Sequence, residues 1–254
     1  MSLVPGPDSH PRPRRTGNVR GWPLTFAHRG ARAYLPENTI AAFRLGLSQG
    51  AAGLETDAWL ALDGVPVLAH DATIRRPGRR VPVARCTSAD LAAFEVPTLA
   101  DLYRTCGTDF ELSIDVEHPP VGVPAIDVAE SYGALDRLWL CSDELVVLES
   151  LRARSSRPRL VCSTGPRRLG GLRSVIPRLQ ALDVDVVNLH WRHWTRRTVD
   201  LVHAAGLLAF GWDAQDDAAV DWLVAAGIDG LYGDRPDHLV ARVDRAIHAN
   251  ERGA

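Results

Sequence analysis

The sequence predicts a (β/α)₈ barrel, a closed ring of eight parallel strands with helices between them. Eight short apolar runs of strand length recur along the chain, and helical patterns lie between many of them. Strands that alternate with helices indicate a parallel sheet, and eight such units are the number that closes into a barrel. The length of 254 residues is also typical of such a barrel built as one domain.

The strand candidates are short apolar runs bounded by polar or turn-forming residues. In chain order they are LTFA from Leu24, GLETDAWL from Gly53, FELSIDV from Phe110, RLWLCS from Arg137, RLVCST from Arg159, DVVNLHW from Asp185, LLAFGWD from Leu207 and DGLYGD from Asp229. The helix candidates show apolar residues at helical spacing. They include 39–49, 99–106, 144–153, 195–205, 218–226 and 236–248. Asn38 is expected to cap the first of these helices.

An insertion is predicted after the second strand, because the third candidate begins only at Phe110. The interval holds a further short run, VPVLAHD, and a polar, Arg-rich stretch from Arg75 to Asp90. Residues 1–21 are rich in Pro and Arg and are expected to form a disordered tail. Residues 22–250 are expected to form a single domain.

Composition favours a small-molecule partner. With 29 basic and 31 acidic side chains, the net charge of -2 gives no general attraction to nucleic acid or to an anionic membrane. The absence of lysine excludes Schiff-base chemistry by that residue. No run approaches 18 apolar residues, and the first residues lack the apolar segment of a secretory signal, so neither membrane insertion nor export is expected. The oligomeric state is not indicated.

The four cysteines, Cys86, Cys106, Cys141 and Cys162, do not have the spacing of a metal site. They are interpreted as free thiols in a reducing environment, which predicts a cytoplasmic location.

Four carboxylates are predicted to meet at the mouth of the barrel. Glu55 and Asp57 lie two apart on the second strand, so both side chains point to one face, and Asp115 and Glu117 repeat this arrangement on the third. Functional residues of such barrels lie at the carboxyl ends of the strands. Four acids there would repel one another, and oxygen ligands suit a divalent Mg²⁺ or Ca²⁺. Ordinary salt bridges to arginines are the alternative.

Two histidines are candidates for proton transfer. His28 ends the first strand and His70 follows the insertion's short apolar run. Histidine titrates near neutral pH, so two such residues beside one site suit a reaction that takes one proton and returns another. Arg29 has a planar fork of donors that matches a phosphate group.

The order of several motifs resembles the glycerophosphodiester phosphodiesterase family. The motifs are HRG, PENT, LETDAWLALDGVPVLAHD, VPTLADLY, LSIDV and the closing GWDAQDDAAVDWLVAAGIDGLYGDRPDHL. Neither HRG nor HD alone is specific for the family. The whole set in this order, from Leu24 to Val243, is a specific signal of the resemblance.

The resemblance implies a (β/α)₈ barrel that uses a divalent metal to hydrolyse glycerophosphodiesters to glycerol 3-phosphate and an alcohol. It implies metal binding by Glu55 and Asp57, acid/base catalysis by His28 and His70, and a phosphate contact from Arg29. The insertion would be the family's small extra subdomain.

The third strand departs from the family's pattern. The family usually has Glu-x-Lys where this chain has Asp115, Val116 and Glu117. Asp115 retains a carboxylate, whereas Glu117 replaces a cation by an anion. Arg192, just past the sixth strand, is a possible substitute for that cation. Alternatively, Glu117 joins the metal ligands and the substrate differs from the usual one.

Three functions therefore stand as predictions. The first is hydrolysis of glycerophosphodiesters, with Trp212 at the end of the seventh strand as either a wall for the substrate or core filling. The second is a catalytically weak barrel that binds a phosphorylated ligand, motivated by Glu117. The third is a lysophospholipase D-like phosphodiesterase, which would need an apolar track at the barrel mouth. Trp191 and Trp194 are further candidates for lining that mouth.

Overall fold

The computed structural model describes residues 23–76, 79–165 and 170–253. The predicted disorder of residues 1–21 falls outside these ranges. Within them, no helix combines the length and the apolar character needed to cross a membrane. The four cysteines carry free thiols, as predicted.

The described residues form eleven strands. In chain order they are β1 (Leu24–Ala27), β2 (Gly53–Leu60), β3 (Pro66–Leu68), β4 (Thr73–Arg76), β5 (Arg79–Pro82), β6 (Glu111–Val116), β7 (Leu138–Ser142), β8 (Arg159–Ser163), β9 (Val186–His190), β10 (Leu208–Trp212) and β11 (Gly230–Gly233).

Eight of these strands form a closed parallel barrel, which confirms the predicted fold. The ring runs β1, β2, β6, β7, β8, β9, β10, β11 and returns to β1. Strand β1 closes it by pairing with both neighbours, since Phe26 lies in register with Gly53 of β2 and with Tyr232 of β11. All eight apolar runs identified in the sequence became barrel strands.

Nine helices are described. They are α1 (Ile40–Ser48), α2 (Ser88–Ala92), α3 (Leu99–Cys106), α4 (Gly122–Ser131), α5 (Leu145–Arg154), α6 (Leu172–Ala181), α7 (Arg196–Ala204), α8 (Asp217–Ala226) and α9 (Pro236–Gly253). The six predicted helices correspond to α1, α3, α5, α7, α8 and α9. Helices α2, α4 and α6 were not among the predicted ones, and two of them, α4 and α6, carry Pro124 and Pro177. Pro177 lies inside α6, where proline is disfavoured, whereas Pro124 lies in the first turn of α4. Both prolines obscure the helical pattern in the sequence.

The predicted insertion after β2 is also present. Strand β3 lies outside the ring and pairs antiparallel with the end of β2, while β4 and β5 form a separate hairpin. Val67, Val83 and Leu91 belong to a small buried cluster of this insertion. The antiparallel pairing of β3 brings the chain back to the barrel mouth, where His70 and Asp71 follow it.

The core has two main parts. One surrounds Phe26, whose ring stacks on Tyr232 at 4.9 Å between centroids and lies 5.7 Å from Phe210. The larger part packs helices against the barrel strands and includes Phe43 of α1 and Leu54 of β2. Alternate residues of each strand thus face inward and outward, which directs Glu55 and Asp57 inward.

Candidate active site

Three carboxylates from two neighbouring strands converge at the carboxyl end of the barrel. Glu55 and Asp57 of β2 are 3% and 2% exposed, and Asp115 of β6 lies in parallel register with Asp57. One oxygen from each of the three lies within 4.8 Å of the others. The period of two along each strand and the pairing of β2 with β6 produce this arrangement.

The electrostatics of the three carboxylates favour a bound cation. Burial, followed by the charges of Asp57 and Asp115, raises the pKa of Glu55 well above its ordinary value. Burial and the charge of Asp57 raise the pKa of Asp115 to about 7. A divalent cation would remove this repulsion, and a donor set of carboxylate oxygens fits Mg²⁺ or Ca²⁺.

A second group shares Asp57 with the first. Ligand atoms of Asp57, His70 and Glu117 also lie within 4.8 Å of one another. The Nδ1 atom of His70 lies 2.9 Å from Asp71 Oδ1, and the His70 carbonyl accepts a 3.0 Å hydrogen bond from Trp59 Nε1. The structure therefore places both predicted histidines and all four predicted carboxylates at one mouth.

Glu117 faces the site as its register predicts. Burial and then the charge of Asp57 raise its pKa, whereas His70 and Arg29 act to lower it. Among the ion pairs of the described residues, none joins Glu117 to Arg29 or to Arg192. Its membership of the group around Asp57 favours the predicted role of Glu117 as a metal ligand over a salt bridge to an arginine.

His28 is held between two carboxylates. Its Nδ1 lies 2.6 Å from Asp234 Oδ1, and its Nε2 lies 3.7 Å from Glu55 Oε2. The backbone N–H of Asp234 donates to Gln215 Oε1 at 3.1 Å. Although burial acts to raise it, the hydrogen bond and charge of His28 and the charge of Arg32 lower the pKa of Asp234. Asp234 thus remains an anion that orients the imidazole.

Arg29 is already engaged by acids. It has a positive φ of 50°, and its backbone N–H donates to Glu55 Oε2 at 2.8 Å. Its NH1 donates to both oxygens of Glu37, at 3.0 and 3.1 Å. Its buried Nε lies 3.1 Å from Asp57 Oδ2, at an angle unsuited to a hydrogen bond. Arg29 therefore brings positive charge to the acids, and Glu37 fixes one side of its fork.

The expected helix cap at Asn38 is wrong. The cap of α1 is Thr39, whose side chain accepts from the backbone N–H of Ala42 at 3.2 Å. Asn38 instead adopts a positive φ of 57° and points into the site, where its Nδ2 donates to Asp57 at 2.9 Å. Its Oδ1 accepts from Thr56 Oγ1 at 2.8 Å. Asparagine tolerates this left-handed conformation better than most residues.

Sequence reasoning thus missed three supporting residues, Glu37, Asn38 and Asp234. Two of them lie in the PENT motif and one in the closing segment, and both stretches stood out only through the family resemblance. The motif itself was the available signal, because an acid and an amide in the loop between a barrel strand and the next helix lie on the functional side.

A cavity of about 380 Å³ opens beside the acids. Its walls include His28, Glu55 and Asp115 on one side and Thr164, Asn188 and Trp212 from the ends of other strands. Trp212 is 40% exposed and meets the His190 ring edge to face at 4.6 Å, so it is a wall of the mouth.

Other predicted wall residues lie elsewhere. Arg192 is exposed and stacks over Trp191 at 5.1 Å, and it is not among the described residues that line this cavity. Its contact with substrate stays a prediction. The suggestion that Trp194 lines the mouth is wrong, because Trp194 is fully buried and its Nε1 donates to the carbonyl of Phe210.

Comparisons with known proteins show which chains are similar to this one. The sequence model of the glycerophosphoryl diester phosphodiesterase family matches residues 28–123. A glycerophosphodiester phosphodiesterase of Caldanaerobacter subterraneus is 25% identical over 85% of this chain and 96% of its own. A probable glycerophosphodiester phosphodiesterase 2 of Mycobacterium tuberculosis is 29% identical over 86% of this chain and 90% of its own.

A solved structure shows the same fold. A phosphodiesterase of Oleispira antarctica, in complex with the product sn-glycerol-3-phosphate, superimposes with a TM-score of 0.77 at 21% identity. The match covers 88% of this chain and 97% of that one. The matched family model, the relatives over nearly their full length and the shared barrel agree: this chain resembles the glycerophosphoryl diester phosphodiesterase family in sequence and in fold.

Proposed function

We propose that this protein is a metal-dependent phosphodiesterase that hydrolyses glycerophosphodiesters to glycerol 3-phosphate and an alcohol, with His28 and His70 as the acid/base pair. The observation that carries the proposal is the placement of His28 between Asp234 and Glu55, beside three converging carboxylates. A barrel that only bound a phosphorylated ligand would have no need of two oriented histidines at one acidic site.

Glu55, Asp57 and Asp115 would hold the metal, with Glu117 beside them. When bound, a divalent ion supplies positive charge that stabilises the phosphoryl oxygens and polarises a nearby hydroxyl. Arg29 adds a fixed positive charge, because its guanidinium is always protonated and lies against Asp57.

His28 acts as the first base. Because Asp234 occupies Nδ1, the Nε2 atom is left to take the proton of the glycerol 2-hydroxyl. The deprotonated oxygen then attacks phosphorus to form a cyclic phosphate, and Arg29 helps to offset the charge that develops on the phosphoryl oxygens.

His70 protonates the departing alcohol. Asp71 occupies its Nδ1 and so leaves Nε2 for the proton transfer. A water molecule then opens the cyclic phosphate, and the two histidines exchange roles. The products are glycerol 3-phosphate and the free alcohol, and both histidines return to their starting protonation states.

A coupled assay for glycerol 3-phosphate tests the proposal. The protein is stripped of metal, resupplied with Mg²⁺ or Ca²⁺, and given glycerophosphodiesters with choline, ethanolamine or glycerol as the alcohol. We expect metal-dependent release from at least one of them. If no glycerophosphodiester were hydrolysed with either metal, the proposal would be refuted.

A further inference from the structure

Two residues in the wall of the main cavity each carry a buried polar atom that has no hydrogen-bond partner among the described residues. Thr164, directly after β8, is 8% exposed, and Asn188 on β9 is 4% exposed. Thr164 Oγ1 and Asn188 Oδ1 have no partner in the part of the chain that the structure describes. Buried polar groups are nearly always hydrogen-bonded, so two orphaned atoms on residues of one cavity wall require an explanation.

The local structure fixes both residues in place. The backbone N–H of Thr164 donates to the carbonyl of Asn188 at 3.1 Å, which joins the two ends of the strands. Asn188 Nδ2 donates to Ser163 Oγ at 3.0 Å. This bond orients the amide and leaves its carbonyl oxygen as the acceptor that lacks a donor.

Two neighbouring cavities share Asp115, Asp143 and Ser163 in their walls, and the mechanism indicates which of them takes the glycerol. The cavity of about 380 Å³ contains His28, Thr164 and Asn188. A second, of about 260 Å³, contains Glu117, whose carboxylate groups with His70. Because His28 takes the proton of the glycerol 2-hydroxyl, the glycerol end belongs in the first cavity. The departing alcohol, which His70 protonates, belongs near the second.

We infer that Asn188 and Thr164 are specificity-determining residues that bind the glycerol hydroxyl at carbon 1, which takes no part in the reaction. That hydroxyl donates to Asn188 Oδ1 and accepts from the Thr164 hydroxyl, so both orphaned atoms gain a partner. The inference rests on the proposed function and narrows its substrate class. A free hydroxyl at carbon 1 is required, so lysophospholipids acylated at that position are poor substrates.

The sharpest test compares two phosphodiesters that differ in one hydroxyl. One is glycerophosphoethanolamine, and the other is the ethanolamine phosphodiester of propane-1,2-diol, which keeps the reacting 2-hydroxyl and lacks only that at carbon 1. A site built to bind a hydroxyl rejects the analogue without it, so we expect kcat/KM to favour the glycerol compound by about 100-fold or more. A ratio near one would overturn the inference and leave the proposed function standing.

Two variants assign the preference to these residues. Thr164→Val removes the hydroxyl and Asn188→Leu removes the amide, and both keep the side chain at nearly the same size. Each should lower the ratio of the two kcat/KM values about 3- to 10-fold. Thr105→Val, at an exposed position of α3, is the matched control and should keep the wild-type ratio. Circular dichroism checks that each variant is folded. Wild-type ratios in both folded variants would overturn the inference.

A binding measurement separates this inference from the catalytic proposal. Calorimetry compares glycerol 3-phosphate with propane-1,2-diol 1-phosphate, which lacks the same hydroxyl. Tighter binding of glycerol 3-phosphate than of the analogue, with the difference reduced in Thr164→Val, supports the inference. This holds even if neither phosphodiester is hydrolysed, because the absence of hydrolysis would refute only the catalytic proposal. Equal affinity for the two, or binding of neither, would overturn the inference.

Discussion

Asp57 connects most of the residues that we assign to the site. It is almost completely buried, yet it accepts a hydrogen bond from Asn38, lies 3.1 Å from Arg29 Nε and belongs to both groups of candidate metal ligands. A buried carboxylate is stable only when it is paired, hydrogen-bonded or bound to a cation. Asp57 is paired with Arg29 and hydrogen-bonded to Asn38, and it belongs to groups of side chains that could bind a cation.

The two histidines can be tested by truncation. We expect His28→Ala and His70→Ala each to lower kcat by roughly 10²- to 10⁴-fold, since each removes a proton-transfer group. His238→Ala is the matched control, because His238 also contacts a carboxylate, Asp217 at 2.7 Å, but lies on α9 outside the mouth. If either active-site variant retained the activity of the control, that histidine would have no part in proton transfer.

Glu117 can be assigned by metal binding. We expect Glu117→Gln to weaken divalent-metal affinity about tenfold in calorimetry, because it removes a negative charge beside Asp57. The companion variant Glu117→Lys restores the cation common in the family. If Glu117→Gln left metal affinity unchanged and Glu117→Lys lowered the KM for glycerophosphodiesters, Glu117 would instead lie beside the phosphate. No change in either would make it a bystander.

At the residue scale, strand periodicity was enough to predict where the carboxylates lie. Contacts between residues far apart in the sequence could not be predicted in this way. The spacing of Glu55 and Asp57 fixes their common face, whatever surrounds them. In contrast, Asp234 reaches His28 across 206 positions of sequence, and only closure of the ring by β1 and β11 brings them together. Asn38 was misassigned because a capping preference also suits a residue with a left-handed backbone.

At the scale of elements, the segment between β1 and α1 builds much of the site. It carries His28 and Arg29 at its start and Asn38 at its end. Gly30, between them, has a positive φ of 75° and packs against the backbone of α1. A Cβ atom built there would lie 2.6 Å from the carbonyl carbon of Ala42, too close for any real contact. The glycine of HRG therefore allows the loop to approach the helix.

Substitution of Gly30 should affect both stability and activity. We expect Gly30→Ala to lower the free energy of unfolding in urea by about 2 to 4 kcal/mol, from backbone strain plus overpacking, and to reduce kcat by displacing Arg29. Gly64→Ala is the matched control, with a similar φ of 77° and no atom within 4 Å of the added Cβ. It should cost only about 1 kcal/mol. Equal losses in the two variants would show that the approach to α1 has no effect.

Elements differed in how well the sequence predicted them. The barrel strands are short and apolar with clear boundaries, and helix α3, with its reciprocal Thr98 and Asp101 capping box, was predicted at its true limits. Helix α4 begins at Gly122 and α6 at Leu172 after Gly171, and neither has a side-chain cap. Without a capping signal, and with a proline in each, packing against the barrel determines these helices.

At the scale of the whole molecule, the barrel gathers acids from two strands that are far apart in the sequence into one buried cluster, and without metal this cluster destabilises the folded state. The folded state raises the pKa of Asp115 to about 7, mainly by burial. A carboxyl whose pKa is raised on folding contributes stability below its ordinary pKa, and that contribution is lost as pH rises through the folded value. Metal binding needs the deprotonated acids and acts in the opposite direction.

Thermal melts should therefore depend on pH and metal together. We expect the metal-free protein to lose stability between about pH 4 and pH 7, relative to an Asp115→Asn variant whose amide does not titrate. Added Mg²⁺ or Ca²⁺ should raise Tm more at about pH 7.5 than at about pH 5. If the Tm of the wild type changed with pH as that of Asp115→Asn does, and metal changed Tm at neither pH, the result would argue against a cation at these acids.

The most direct test of the whole account is the phosphorus-31 spectrum of glycerophosphoethanolamine incubated with the metal-supplied protein. Attack by the glycerol 2-hydroxyl breaks the bond between phosphorus and the ethanolamine oxygen. The diester signal should therefore be replaced by that of glycerol 3-phosphate, and His28→Ala should leave the diester intact. The appearance of phosphoethanolamine, or a diester signal that persists with the wild-type protein and metal, would contradict the account.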